Sequence, residues 1–109
     1  MLSVADFDKV EMRVGTILAV SPNKRARKPA YKVTIDLGSE LGIKNSSAQI
    51  TKYYTPEELI GRQVVVVTNF EPSRIADVKS EVRILGAEAE DSCVLLSLER
   101  PVENGSRIF

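Results

Sequence analysis

The chain has 109 residues, a length that suits one domain, and 43% of them are apolar, enough for one modest core. Fifteen basic residues balance fifteen acidic ones, so the net charge is zero and the basic excess of a dedicated nucleic-acid binder is missing; any RNA binding has to come from a local patch. With no histidine and one cysteine, Cys93, the chain lacks the usual zinc-ligand sets, Ser-His-Asp or Cys-His catalysis and an internal disulfide, and no carboxylate pair stands out as a catalytic couple.

No apolar run approaches the ~18 residues of a membrane span. The opening Met1-Leu2-Ser3-Val4-Ala5-Asp6 lacks the basic and long apolar regions of a signal peptide. A cytoplasmic protein without membrane insertion is expected. Ser3, followed three residues later by Asp6, marks a helix start, and residues 4–8 read as one helical turn. Residues 10–20 are rich in branched side chains and form a long first strand, with Gly15 a bulge or bend. Residues 21–29 have a loop composition. From Ala30 to Leu37 the pattern is strictly period two: Tyr31, Val33, Ile35 and Leu37 face one way, Lys32, Thr34 and Asp36 the other.

A turn over Gly38–Gly42 leads to a polar third strand over residues 43–51. Thr55-Pro56-Glu57-Glu58 opens a one-turn helix, with a threonine cap, proline at the first helical position and acids at the positive end of the dipole, and Gly61 ends it. Residues 63–69 carry four successive valines and read as a strand buried on both faces. Residues 70–80 form a loop containing Pro72; Glu81–Leu85 make the fifth strand and residues 93–98 a sixth, where Cys93 sits as an inert core thiol. Asn104-Gly105 is a hairpin-type turn between Val102 and Ile108. Five strands, a short helix between the third and fourth, then extra strands: this order is that of an all-β OB-fold, a partly open five-stranded Greek-key barrel, filling residues 1–109 as a single domain.

Such barrels bind through the second and third strands and through the loops between strands one and two and between strands four and five. The first of these loops carries Lys24, Arg25, Arg27 and Lys28, and the second holds Phe70, Arg74 and Lys79. Lys32 lies on the wet face between them, and the third strand adds Lys44, Ser46, Ser47 and Gln49, whose faces the pattern does not separate. Cations gathered on two neighbouring loops of a neutral chain make an anion- or RNA-binding face, or else solvated loops. Tyr53, Tyr54 and Phe70 could stack bases, line an apolar groove for peptides, or pack in the core.

The stretch from Ser47 to Ala76, with Ser47-Ala48-Gln49-Ile50-Thr51-Lys52 at its head and Thr68-Asn69-Phe70-Glu71-Pro72-Ser73-Arg74 near its end, resembles the tRNA-binding domain family, modules that occur alone or appended to aminoacyl-tRNA synthetases. The opening Phe7-Asp8-Lys9-Val10-Glu11-Met12-Arg13-Val14-Gly15 matches it too. Within that family the chain is most similar to an export-related chaperone branch of bacteria and archaea. Gly42-Ile43-Lys44-Asn45-Ser46-Ser47-Ala48-Gln49-Ile50 carries that likeness, and Lys79-Ser80-Glu81-Val82 stands where typical tRNA binders have Ser-x-Gly-Met. Asp77 replaces a common glycine, and the tail after Pro101 reads as a module without an attached synthetase.

The resemblance implies a homodimeric, non-enzymatic chaperone that assists protein export by binding unfolded or preprotein segments and keeps a residual affinity for tRNA, with no cofactor. The alternative is a free-standing tRNA-binding module that reads RNA structure. By motif position, Ser46, Ser47, Asn69, Phe70, Arg74 and Lys79 would border the binding groove; Ser47 and Asn69 could instead satisfy backbone groups at strand ends.

Overall fold

The computed structural model describes all of residues 1–109. Helix α1 (Val4–Asp8) starts with a reciprocal cap: the Ser3 Oγ accepts the Asp6 N–H at 3.1 Å, and the Asp6 carboxylate accepts the Ser3 N–H at 3.4 Å. Strand β1 (Met12–Pro22) then serves two partners. Its first half pairs antiparallel with β4 (Gln63–Val67), from Met12↔Val67 to Thr16↔Gln63. Its second half pairs with β2 (Tyr31–Asp36), from Thr16↔Asp36 to Pro22↔Tyr31.

The register shift that lets one strand bend between two partners lies between Ile17 and Ala19, at Leu18, and not at Gly15 as the sequence suggested. Gly15 has a different reason to be glycine. A Cβ there would stand 2.5 Å from Ile35 Cγ2 and 2.6 Å from Leu37 Cδ2, so the backbone can pass the core only without a side chain.

The dry face of β2 is as expected: Val33, Ile35 and Leu37 are fully buried. The Gly38–Gly42 turn proves to be a one-turn helix, α2 (Gly38–Leu41), opened by the Asp36 carboxylate, which accepts the Gly38 N–H at 2.9 Å. Strand β3 (Ile43–Ala48) is shorter than the polar run predicted, because Gln49 to Thr51 leave β2 behind. Helix α3 (Pro56–Leu59) inserts Leu59 into the core. In β4, Val64 to Val67 are all buried, as a central strand covered on both faces requires.

The loop expected at residues 70–80 contains a hairpin, β5 (Ser73–Ile75) and β6 (Val78–Ser80), turned at Ala76 with φ 55°. Three-residue strands give too little alternation for a sequence pattern to detect. The fifth strand contributes only β7 (Arg83–Ile84) to the main sheet, whose order is β3-β2-β1-β4-β7. The predicted sixth strand is β9 (Ser92–Leu95), paired with β8 (Gly86–Ala89).

The Asn104-Gly105 turn is present, with Gly105 at φ 91°, yet it joins no hairpin of its own. Instead the tail docks on β1: the Val14 N–H donates to Ser106 C=O at 2.9 Å, and the Ile108 N–H to Met12 C=O at 3.0 Å. A tail strand gains more from the free edge of a buried strand than from pairing with an exposed neighbour.

The barrel is nearly closed. Where β3 meets the β6–β7 segment, the Glu81 N–H donates to Asn45 C=O at 2.8 Å, and the Glu81 carboxylate accepts the Asn45 N–H at 3.1 Å. Inside, Ile17, Val33, Ile35, Leu59, Val64 and Val66 form the centre of one core, with Val82 and Leu95 at its edge. This is an OB-type five-stranded barrel with short helices and extra C-terminal strands. No helix is long and apolar enough to cross a membrane.

Candidate functional site

Next to the Asn45–Glu81 closure lies a groove of about 670 Å³. Its walls are the second half of β3 with its continuation, the β5–β6 hairpin, β7 and β9. Ala48, Ile50, Val82, Ile84 and Leu95 make an apolar floor, and Phe70 stands at the rim, 54% exposed. Four serines, Ser46, Ser47, Ser73 and Ser80, add hydroxyls. Apolar surface with a few convergent hydrogen-bonding groups is the usual make-up of a binding cleft.

The β2–β3 register decides what the sequence left open. Val33↔Ser46 and Ile35↔Lys44 put Ser46 and Lys44 on the same side as the core residues of β2, whereas Lys32↔Ser47 puts Ser47 on the wet side. Ser46 is accordingly 2% exposed. Lys44 lies 4.0 Å from the Glu81 carboxylate.

A second surface lies across the hairpin. Lys24, Arg25, Arg27 and Lys28 are exposed on the β1–β2 loop. On the hairpin, Ser73, Ile75 and Ser80 line the groove while Arg74 and Lys79, directly opposite each other, occupy the other face. Two cations facing across a hairpin repel each other, and an anion laid over them would relieve that repulsion. The two loops touch: Arg25 Nε is 3.3 Å from Asp77 Oδ2, an exposed pair that by itself holds little.

The firmer tie is Asn23, which the sequence reading passed over. It is 7% exposed, and its Nδ2 donates both to Ile75 C=O at 2.9 Å and to the Ser47 hydroxyl at 3.2 Å. Its one signal was an asparagine in a turn composition, which predicts a local bond and not a bridge to residues 24 and 52 positions away.

The structure thus divides the predicted residues. Ser46, Ser47 and Phe70 border the groove. Lys24, Arg25, Arg27, Lys28, Arg74 and Lys79 lie outside it, on the loops and the outer face of the hairpin. Asn69 belongs to neither, since its Oδ1 accepts the Glu11 N–H at 3.0 Å and its Nδ2 donates to Lys9 C=O at 2.6 Å, fastening the entry to β1 against the end of β4. Tyr54 is also structural: its hydroxyl accepts the Leu95 N–H at 3.0 Å, and its carbonyl takes the Tyr31 hydroxyl at 2.8 Å. Cys93, half-buried, lines the groove rather than the core centre.

Residues 12–107 match the model of the tRNA binding domain family. The chain belongs to this family. Among its members, the methionine–tRNA ligase of Archaeoglobus fulgidus is 38% identical over 107 residues, which cover 98% of this chain and 16% of that enzyme. The corresponding enzyme of Pyrococcus furiosus is 36% identical over 98% of this chain and 14% of its own length, so the chain spans about a seventh of these relatives.

Solved structures similar over the whole chain are the chaperone CsaA of Bacillus anthracis, at TM-score 0.94, 47% identity and coverage of 100% and 99% of the two chains, and CsaA of Picrophilus torridus, at TM-score 0.94, 46% identity and full coverage of both. A methionyl-tRNA-synthetase-related protein of Pyrococcus horikoshii aligns at TM-score 0.87 with 28% identity, over 100% and 98% of the two chains. The tRNA binding family is thus represented here in a form whose full length superposes on CsaA.

Proposed function

We propose that residues 1–109 act as one non-catalytic binding module, a CsaA-like chaperone that assists protein export in the cytoplasm by holding unfolded or preprotein segments. The observation that carries this reading is the groove. An apolar floor and an exposed Phe70 match the side chains of an unfolded segment, and the serine hydroxyls match its unpaired backbone groups. Likeness to two CsaA chaperones at 46–47% identity supports it. The methionine–tRNA ligases carry this module as a small part of a larger chain, which supports binding rather than catalysis as its role.

The module works as a homodimer. Val94 and Leu96 are 46% and 45% exposed, and Leu2, Val4 and Phe7 of the N-terminal segment stand out of the fold, apolar surface that a second copy would cover. A second reading, tRNA binding, has its own observation: the cations of the β1–β2 loop and of the hairpin form one outer surface, held together by Asn23.

Titration of an extended apolar peptide into the full chain, alongside suppression of aggregation of a chemically unfolded client, tests the first reading. Saturable peptide binding and suppressed light scattering are expected. Binding of tRNA without either effect would overturn it in favour of the second.

A further inference from the structure

The β5–β6 hairpin forms a two-stranded sheet of its own, outside the ladder of the barrel sheet. It is also a wall shared by two surfaces, with Ser73, Ile75 and Ser80 towards the groove and Arg74 and Lys79 on the outer side with the cations of the β1–β2 loop. One of its strands is well secured: Val78 is 5% exposed, and the Ser80 hydroxyl accepts the Ser47 N–H at 3.2 Å. The other strand, β5, is exposed throughout. The turn between them holds Ala76 at φ 55°, left-handed backbone that an alanine keeps only where its surroundings hold it.

Asn23 supplies the hold on β5. Its backbone closes the base of the cationic loop: the N–H donates to Ala30 C=O at 2.9 Å, and the C=O accepts the Ala26 N–H at 3.1 Å. Its side-chain amide, buried, donates to Ile75 C=O on the hairpin and to the Ser47 hydroxyl on β3, and both of those residues line the groove. One amide therefore joins the cationic loop, the hairpin and the groove wall. The exposed Arg25–Asp77 pair adds little to it.

From this arrangement we infer that occupation of the outer cationic face tightens occupation of the groove, with Asn23 as the positioning residue that carries the linkage. The inference rests on the peptide and RNA readings above and adds a regulation that neither contains. Without an anion, Arg74 and Lys79 repel each other across the hairpin. An RNA strand spanning the loop and the hairpin removes that repulsion. It also draws the tip towards the loop, into the position where Asn23 bonds Ile75. There Ser73 and Ile75 stand as the groove wall. A wall already fixed leaves less to be ordered when a peptide enters. A segment is then held most firmly where RNA is also bound.

The test titrates a labelled, uncharged apolar peptide into the full chain, alone and with saturating short single-stranded RNA. A peptide without charge removes direct attraction between the two ligands. RNA is expected to tighten peptide binding about fivefold, the low end of couplings between sites, and by linkage the peptide tightens RNA binding by the same factor. Asn23→Asp keeps the shape of the side chain but removes the N–H groups given to Ile75 and Ser47, so the factor should fall to about one. Because Asn23 is buried and its variant could unfold, a second variant, Arg74→Gln with Lys79→Gln, changes only exposed residues. It should bind peptide alone as the native chain does and still bind RNA through the loop, with the factor again about one. A factor of one or less in the native chain, or a factor that survives in the Arg74→Gln, Lys79→Gln variant, overturns this inference alone. Absence of peptide binding overturns the peptide reading and the inference together, and absence of RNA binding overturns the RNA reading and the inference while the peptide reading stands.

Discussion

Phe70 and Gly15 show how differently single residues are constrained in this barrel. Phe70 follows the most buried strand of the molecule, which suggests a plug for the barrel end, yet it is 54% exposed and faces the groove. Truncating a buried phenylalanine costs about 3–5 kcal/mol. Phe70→Ala should cost about 1 kcal/mol or less in thermal or urea unfolding, while peptide affinity measured on the same variant falls by about tenfold, as for an aromatic anchor. Gly15 is the opposite case. Gly15→Ala forces a methyl group into Ile35 and Leu37, and over-packing of this kind costs about 1–3 kcal/mol. Urea unfolding should show that loss, with peptide binding per folded molecule unchanged.

Among the elements, the hairpin and the β1–β2 loop carry most of the consequence. The hairpin separates two surfaces: Ser73, Ile75 and Ser80 belong to the groove, Arg74 and Lys79 to the outer basic face. The loop adds Lys24, Arg25, Arg27 and Lys28 to that face. If RNA contacts about four phosphates there as a single strand, the log–log salt slope of binding should be roughly −3. Replacing those four residues by alanine should nearly abolish the slope and leave peptide affinity in place, because none of them lines the groove. Fluorescence anisotropy with a short RNA across a salt series measures this. Unchanged RNA binding in the variant would place the RNA site elsewhere.

For the whole molecule, the balance of exposed apolar surface points to assembly. Light scattering at micromolar concentration is expected to give the mass of two copies. A stable interface of this kind buries roughly 2,000 Å² or more in total, and a monomer mass would exclude it. The closure between Asn45 and Glu81 matters at the same scale, since it holds β3 to the β6–β7 segment with two hydrogen bonds and leaves the cleft open beside it.

Local patterns carried much of this architecture. The period-two run of β2, the valines of β4 and the capped one-turn helix before it are each consequences of neighbouring residues, and together they specify an OB-type barrel. The cations of the two loops were equally plain. What neighbouring residues could not express was long-range. The bulge moved to Leu18 because β1 must bend between β2 and β4. The tail paired with β1 because that edge was free. The hairpin within residues 73–80 was too short to leave a periodic signal. Most of all, the division of Ser46 from Ser47, the turning of Arg74 and Lys79 away from the groove and the bridge through Asn23 follow from strand register and barrel closure. Those are set by which distant surfaces bury each other, and only the folded chain decides them.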